Sequence, residues 1–579
     1  MPEPVPNEEG LRALGRDVAG TRSRRHRRAR SSDAGPPGKP RHRRLRRTLL
    51  VAGLVVVLLA GAAAGYGWYL AHKVHRVAVG GLTSGPTVGA DAGTENILMV
   101  GSTTRCGLKK QTPAYGLCTQ GVTGVNSDVI MILHLDPANR TVSLLSIPRD
   151  LFVPNARKTG TGFGAYKIDA ALYQGPSQLV AAIEEDFGIP IQHYVELNFD
   201  TFAAVVTALG GITLEFPEPV YDQKSGLNVY GTGCHHLDGF QALQVVRARH
   251  LQYLPPGMAR SAPHTTWPHE DQSDLARIRR DHEFLRVLAT AVARRGLSSP
   301  GTDLSVVNAV AGQLTVDGGL TVPHMVNLVL TYHGVSIDAA PQWTLPVLVD
   351  DTPGGYTYKG FGKGDVEFPS QPLGQSIINR FLGIGDATDS LTGKPLPRPG
   401  SVTVSVLNGT GAFEQATTTS ESLGRLGFHM LQPGTSPPVG RVAETLVTYA
   451  QRTPADEAAA QLVARSLSGS VVMDYGPTAG GADVTVTTGT SFSVNPTAPG
   501  ASTVTGPAKG GATSASPTSP TATTAVATSS GSPAGTAPAG SPSALPGFSA
   551  PSPAVTPLKP YDPRACPTGV KGNATGWGS

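Results

Sequence analysis

The chain has 579 residues, enough for two or three domains, but its 70 glycines and 49 prolines make up about a fifth of it and exclude one unbroken core. The net charge of +5 is a local property: about a dozen Lys or Arg lie between Arg22 and Arg47 beside one acid, Asp33, while the rest is near neutral or acidic. That distribution excludes a nucleic-acid surface spread over the whole protein.

Thr48 to Leu70 follows the basic tail 1–47, about 23 positions without a charge, closing on Tyr66, Trp68 and Tyr69. A helix of that length spans roughly 30 Å, the thickness of a bilayer core, and the aromatics suit its interface. The length favours an uncleaved anchor over a signal peptide. The expectation is one transmembrane helix, 48–70, with a cytoplasmic tail and everything after Leu70 outside the cell membrane. Membrane topology then accounts for the basic run without a nucleic-acid partner.

An exported chain permits disulfides. Cys106 and Cys118 bracket a loop that their pairing would staple, Cys234 competes, and Cys566 is left over, free or cross-linked. No CxxC pair or histidine cluster has zinc-ligand spacing, and His235-His236, adjacent on a strand, point to opposite faces.

Residues 71–94 read as a stalk. Short apolar runs bounded by turns then predict buried strands over 95–101, 128–135 and 141–147, the last two joined by the turn Asp136-Pro137-Ala138-Asn139-Arg140. Pro148 ends the third run and puts Arg149 and Asp150 at the rim of a sheet, where ligands bind. A glycine-rich loop, Thr159 to Gly164, matches no phosphate-binding fingerprint and reads as a flexible rim before Lys167-Ile168-Asp169. Ser177 and Asp200 are the expected N-caps of two helices, carrying Leu179, Val180, Ile183 and Phe187, and Phe202, Val205, Val206 and Leu209, with a strand from His193 between them. After the strand 212–216, Asp238 caps a helix running into Arg247-Ala248-Arg249. If that end is extended, both guanidiniums face one way. A long helix from Asp274 carries Leu275, Ile278, Leu285, Leu288 and Val292 on one face, and Asp274, Arg277 and Asp281 three and four apart on another. Strands interleaved with amphipathic helices imply a layered α/β domain. Arg105, Arg149, Lys167, Arg247, Arg249, Arg277, Arg279 and Arg280 all follow or lie within apolar segments, and such a set of cations suggests a phosphate or pyrophosphate ligand.

Together these segments resemble the LytR-CpsA-Psr family of envelope glycopolymer ligases over about residues 95 to 295. The resemblance rests on the single span, the strand Asn96 to Gly101 with Arg105, Asn126-Ser127-Asp128, Ser146 to Asp150, Lys167-Ile168-Asp169, Arg247-Ala248-Arg249 and Asp274 to Arg280. It implies a central mixed sheet flanked by helices, with a hydrophobic pocket for a lipid tail. It also implies transfer of a glycopolymer from a polyprenyl-pyrophosphate carrier to a muramic acid hydroxyl of peptidoglycan. Arg105, Arg149, Arg247, Arg249 and Arg277 would surround the pyrophosphate, with Lys167, Asp169 and Arg280 as further substrate contacts. Asp128 and Asp274 are the implied Mg²⁺ ligands or base. The family usually has aspartate where this chain has Thr103, and often arginine where it has Asn126, which implies a metal held through fewer carboxylates. Arginines with Mg²⁺ suit phosphoryl transfer because the reaction mostly requires positioning and neutralisation of oxygen charge.

The LCP domain is expected over 95–300, with an extension, 301–395, that shows no chemistry of its own. Ser401 to Leu407 alternates as a strand, Asn408-Gly409-Thr410-Gly411 turns, and helices through Leu423 and over 455–466 complete a small α/β domain, 399–495, that resembles the LytR C-terminal domain. Residues 496–579, mostly Ser, Thr, Pro, Ala and Gly, are expected to be a disordered tail. Two other readings compete with a transferase. One is a regulator of envelope genes, for which no helix-turn-helix pattern is visible, and the other a noncatalytic scaffold that holds lipid carriers at the wall. A hydrolase releasing the polymer to water would need the same charges.

Overall fold

The computed structural model describes, isolated positions apart, residues 72–85, 93–104, 118–157, 164–295, 314–332, 340–431, 443–495 and 550–570. Arg105, the basic tail, the expected anchor 48–70 except Gly65 and Tyr69, and most of the glycine-rich loop from Thr159 lie outside the described residues. Among the described residues no helix is long and apolar enough to cross a membrane.

A mixed sheet of seven strands forms the centre. Glu95–Ser102 pairs antiparallel with Ser127–Asp136, which pairs antiparallel with Thr141–Ser146. The connecting turn is held by the Asn139 N–H, which donates to Asp136 Oδ1 at 3.0 Å. His193–Leu197 adds parallel to Glu95–Ser102, then Thr315–Asp317 antiparallel and His75–Val77 at the edge. Gln342–Thr344 closes the other edge, parallel to Thr141–Ser146.

Period-two alternation divides this sheet into two faces. Leu98, Ile130, Ile132, Leu145 and Tyr194 are buried on one, against Leu179, Val180 and Ile183 of the helix Pro176–Phe187. Met99, Met131 and Val195, neighbours across three strands, point to the other, where helices Phe199–Ala208, Gly239–Arg247 and Ser273–Arg295 lie.

Two caps differ from expectation. The first helix starts at Pro176 behind Gly175, and the Ser177 hydroxyl instead accepts the Gly80 N–H at 2.7 Å, tying down the stalk. Asn198, not Asp200, caps the second: its side chain accepts from the Thr201 N–H, and Thr201 Oγ1 accepts from the Asn198 N–H. An aspartate in the first turn mimics a cap in sequence because both favour the positive end of the helix dipole. Asp238 caps its helix as expected, with Gln241 reciprocating.

The C-terminal domain is a sheet of Thr403–Asn408, Val484–Thr488, Thr445–Tyr449 and Leu467–Tyr475 covered by helices Gln415–Arg425 and Pro454–Arg465. The sheet continues into Glu367–Gln371 and Val347–Val349, so the expected boundary near 395 cuts the chain but not the hydrogen-bonded ladder. Asn408 accepts from the N–H groups of Thr410 and Gly411, a structural turn.

The tail needs correcting beyond residue 550. Arg564–Ala565 pairs with Ile212–Phe216, Tyr561 stacks on Tyr253 at 4.0 Å, and Cys566 is disulfide-bonded to Cys234, so it is neither free nor left over. Tyr561, Asp562, Arg564 and Cys566 give this end contacts that offset ordering entropy, whereas the part of the expected tail over 496–549 lies outside the described residues. Cys106 bonds to Cys118.

Candidate active site

Asp128, Arg149, Lys167, Arg249, Asp274 and Arg277 come together at one rim of the sheet. Gly101 stands beside Val129 and Leu197 in the strand register, and Asp128 and Arg149 lie at the same end of their strands. A Cβ on Gly101 would stand 3.0 Å from the Val129 Cβ, tighter than ordinary packing, so glycine lets these strands close here without a shift of Val129.

Arg149 pairs with the Asp128 carboxylate, and its Nε lies 3.5 Å from Asp150 and 4.0 Å from Asp274. Its backbone N–H donates to Asp274 Oδ2 at 3.3 Å. Asp150 accepts from Lys167 Nζ at 2.8 Å and from Arg249 Nη2 at 2.6 Å. Asp274 Oδ1 in turn lies 3.3 Å from Arg249 Nε and 2.8 Å from Arg277 Nη2. Four cations from four separate elements thus interlock with three aspartates. Asp274, Arg277 and Asp281 are 3–4% exposed, so their helical spacing serves a buried network rather than a solvated face.

Arg247 and Arg249 do not face one way as expected: Ala248 is extended, with φ −66° and ψ 118°, but Arg247 still belongs to the helix, so the two-residue alternation of a strand does not apply. Arg249 enters the network, while Arg247 lies over the Phe199 ring, 4.6 Å from its centroid. Arg247 and Arg277 border a groove enclosing about 1020 Å³, part of it open to solvent. Its floor is Met99, Met131, Val195 and Leu197; Phe199, Phe202, Val205, Leu243, Val246, Phe284, Leu285 and Leu288 form its walls, and Asp128 and Asp281 lie beside the cations.

Burial would raise the Asp150 carboxyl, but Arg149, Arg249 and Lys167 hold it below the usual range. Burial pushes Asp169 up to about 7 despite Arg149, and Asp281 up to about 7 despite Arg277 and Arg280. Asp169 braces the site from behind: its N–H donates to the Arg149 carbonyl at 3.2 Å, and its carboxylate accepts from Asn126 at 3.3 Å.

Arg280, expected as a substrate contact, lies in the interior instead. Its side chain is 1% exposed, paired with Glu270 and donating to the Ala248 carbonyl, 3.6 Å from Asp562, so it is walled off from the groove and positions Arg249 through the backbone. Arg279 pairs with Asp562 at 2.6 Å.

The extension does contribute. Glu367 is 7% exposed, its N–H donates to the Asp150 carbonyl at 3.0 Å, and burial together with Asp274 and Asp150 drives its carboxyl well up. The one trace in sequence was an acid between Val366 and Phe368 in an apolar run.

The donor set fits Mg²⁺. Both carboxylate oxygens of Asp281 are buried without a well-aligned hydrogen bond among the described residues, Asp274 Oδ1 beside them is shared between Arg249 and Arg277, and a hard dication takes such oxygens. Thr103 and Asn126, the two departures from the family pattern, bond to each other: the Thr103 N–H donates to the Asn126 carbonyl and the Asn126 N–H to Thr103 Oγ1, both at 2.9 Å. A neutral pair thus occupies those positions.

Fold and site define an α/β protein with an apolar groove bordered by a cluster of buried and partly buried cations. The LytR_cpsA_psr family model matches residues 73–367, half of the chain, and the chain belongs to that family. A second model, described as LytR cell envelope-related transcriptional attenuator, matches residues 401–492. Among curated relatives, the probable cell wall biosynthesis protein LcpB of Corynebacterium glutamicum is 33% identical over 289 residues, 49% of this chain and 61% of LcpB. The chain thus covers less than two thirds of that relative. LcpA of the same organism, a cell wall biosynthesis protein, is 26% identical over 71% of this chain and 80% of its own. The polyisoprenyl-teichoic acid–peptidoglycan teichoic acid transferase TagV of Bacillus subtilis is 38% identical over 137 residues, 23% of this chain and 34% of TagV. A solved LytR-Csp2A-Psr enzyme from Actinomyces oris is 24% identical, with a TM-score of 0.40 over 53% of this chain and 95% of its own.

Proposed function

We propose that this protein is a membrane-anchored, extracytoplasmic phosphotransferase that moves a glycopolymer from a polyprenyl-pyrophosphate carrier to peptidoglycan in cell wall assembly. The observation that carries this reading is the junction of an apolar groove with Arg247 and Arg277, beside the Arg149–Arg249 network. A polyprenyl pyrophosphate has the same two parts, a long apolar tail and a compact polyanion. The names of the teichoic acid transferases among the relatives support the reaction class.

In this reading the tail lies on Met99, Met131 and Val195, and the pyrophosphate meets Arg149, Arg247, Arg249 and Arg277, with Lys167 nearby. Arg105 belongs to the same motif set. A muramic acid hydroxyl attacks the phosphorus that carries the sugar, the bond to the bridging oxygen breaks, and polyprenyl phosphate leaves. The hydroxyl proton passes to a carboxylate of the Asp128–Asp274 pair. Those two aspartates would also hold Mg²⁺, which when bound supplies further neutralisation of phosphate oxygen charge. Asp150 and Asp169 orient the arginines. The span 48–70 fixes the domain to the membrane lipid that carries the substrate, and no nucleic acid takes part.

The test is to replace Arg149 and Arg247 by alanine separately, then measure transfer to peptidoglycan and retention of the lipid carrier. Lost transfer with retained lipid by Arg149→Ala supports a catalyst. Undiminished transfer by both variants would overturn it.

A further inference from the structure

At the end of the sheet opposite the groove, Glu95, His193 and His324 gather from three distant segments. Glu95 and His193 open two parallel neighbouring strands, whose far ends reach Gly101 and Leu197 at the groove. His324 lies near the start of the helix Val322–Thr331. His324 Nε2 is 2.9 Å from Glu95 Oε2, His193 Nε2 is 4.0 Å from the same oxygen, and one ligand atom from each residue lies within 4.8 Å of the others.

We propose that these three residues form a second metal site, for a zinc-class divalent ion. Tetrahedral zinc with ligands at about 2.0–2.2 Å sets them roughly 3.3–3.6 Å apart, so side-chain adjustment suffices. Two imidazoles and one carboxylate suit zinc, whereas magnesium and calcium take oxygen.

A second observation points to the same ligand. His193 Nδ1 lies 3.1 Å from Asp317 Oδ2, and Asp317, 1% exposed, also accepts the N–H groups of Tyr194, Gly319 and Leu320. The fixed carboxylate holds the Nδ1 proton and turns the Nε2 lone pair toward Glu95, the arrangement that orients a metal-binding histidine. An ordinary ion pair needs one histidine on Glu95; here two share one oxygen. The side chains of Glu95, His193 and His324 are 21%, 13% and 28% exposed, which leaves water access to a fourth position. The ion would clamp the helix 322–331 to the sheet where, among the described residues, the local core is Val74, Val316 and Leu320 with a few partly buried neighbours. This inference does not depend on the proposed transfer reaction.

The experiment uses the full-length chain, stripped with EDTA, incubated with Zn²⁺ or Mg²⁺ at neutral pH, dialysed and analysed by inductively coupled plasma mass spectrometry. The expected result is about one zinc per chain, as for a single four-coordinate site, lost in His193→Gln and His324→Gln and kept in His429→Gln. Zinc should also slow amide exchange across residues 322–331 of the unaltered protein, and excess Mg²⁺ should not reproduce this. Absence of retained zinc, zinc held equally by His193→Gln and His324→Gln, or unchanged exchange at 322–331 in the zinc-treated protein would overturn the proposal. The exchange measurement on the unaltered chain stands even if a variant fails to fold.

Discussion

Arg149 and Arg280 are both ringed by carboxylates, but Arg149 keeps 19% of its side chain exposed beside Asp128, which lines the groove, and Arg280 keeps 1%. Loss of a positioned donor in phosphoryl transfer should therefore fall on rate: Arg149→Ala is expected to lower transfer about 10²–10³-fold, read as kcat. Arg280→Ala instead strands Glu270 in the interior, with Arg279 still paired with Asp562, and should cost about 3–5 kcal/mol in denaturant unfolding, while the folded fraction keeps most of its activity. Thr103→Asp adds a carboxylate beside Asn126, and half-maximal transfer should then require less added Mg²⁺ in a metal titration. The clustering of Arg149, Arg249 and Arg277 was legible because they follow apolar runs in ordered motifs. Arg280 shares that context, and only the buried Glu270 and Asp562 opposite it reveal a structural role. Glu367 and the His193–His324 pair were illegible for the opposite reason, since each is a lone polar residue until the fold gathers its partners.

Strand alternation and helix stripes predicted the layers well, because burial of one face leaves a periodic trace. Cap residues were less legible: Asn198 and Asp200 stand two apart, and either satisfies the local rule. Asn198→Ala should cost about 1 kcal/mol, more than Asp200→Ala, by thermal or denaturant unfolding. The terminal strap could not be foreseen, because its partners are the strand Ile212–Phe216 and Cys234, the latter 332 positions from Cys566. Cys566→Ser should lower stability by about 2–5 kcal/mol, the usual cost of losing a native disulfide. An unchanged midpoint would mean that the strap bears no load.

Across the whole molecule, acids crowd the seam between the helix Pro176–Phe187 and the C-terminal domain. Burial pushes Glu184 up to about 8 and Glu457 up to about 7, and drives Asp186 and Glu444 well up; Arg452 pairs with Glu185 on the rim. A carboxyl raised in the folded state binds more protons there than in the unfolded chain between its ordinary value and its raised one. Stability should therefore fall as pH rises from about 4.5 to about 8 and then level off. Glu184→Gln with Glu457→Gln should flatten that slope in thermal unfolding, and a slope unaffected by both would contradict the assignment. The central claim concerns the opposite face of the same sheet, and photo-crosslinking tests it most directly. A polyprenyl pyrophosphate bearing a photoreactive group along its tail should label residues 199–206, 243–247 and 284–288, and Arg247→Ala should weaken that labelling. Labelling confined to other surfaces, or none at all, would contradict a lipid-carrier groove beneath the arginines.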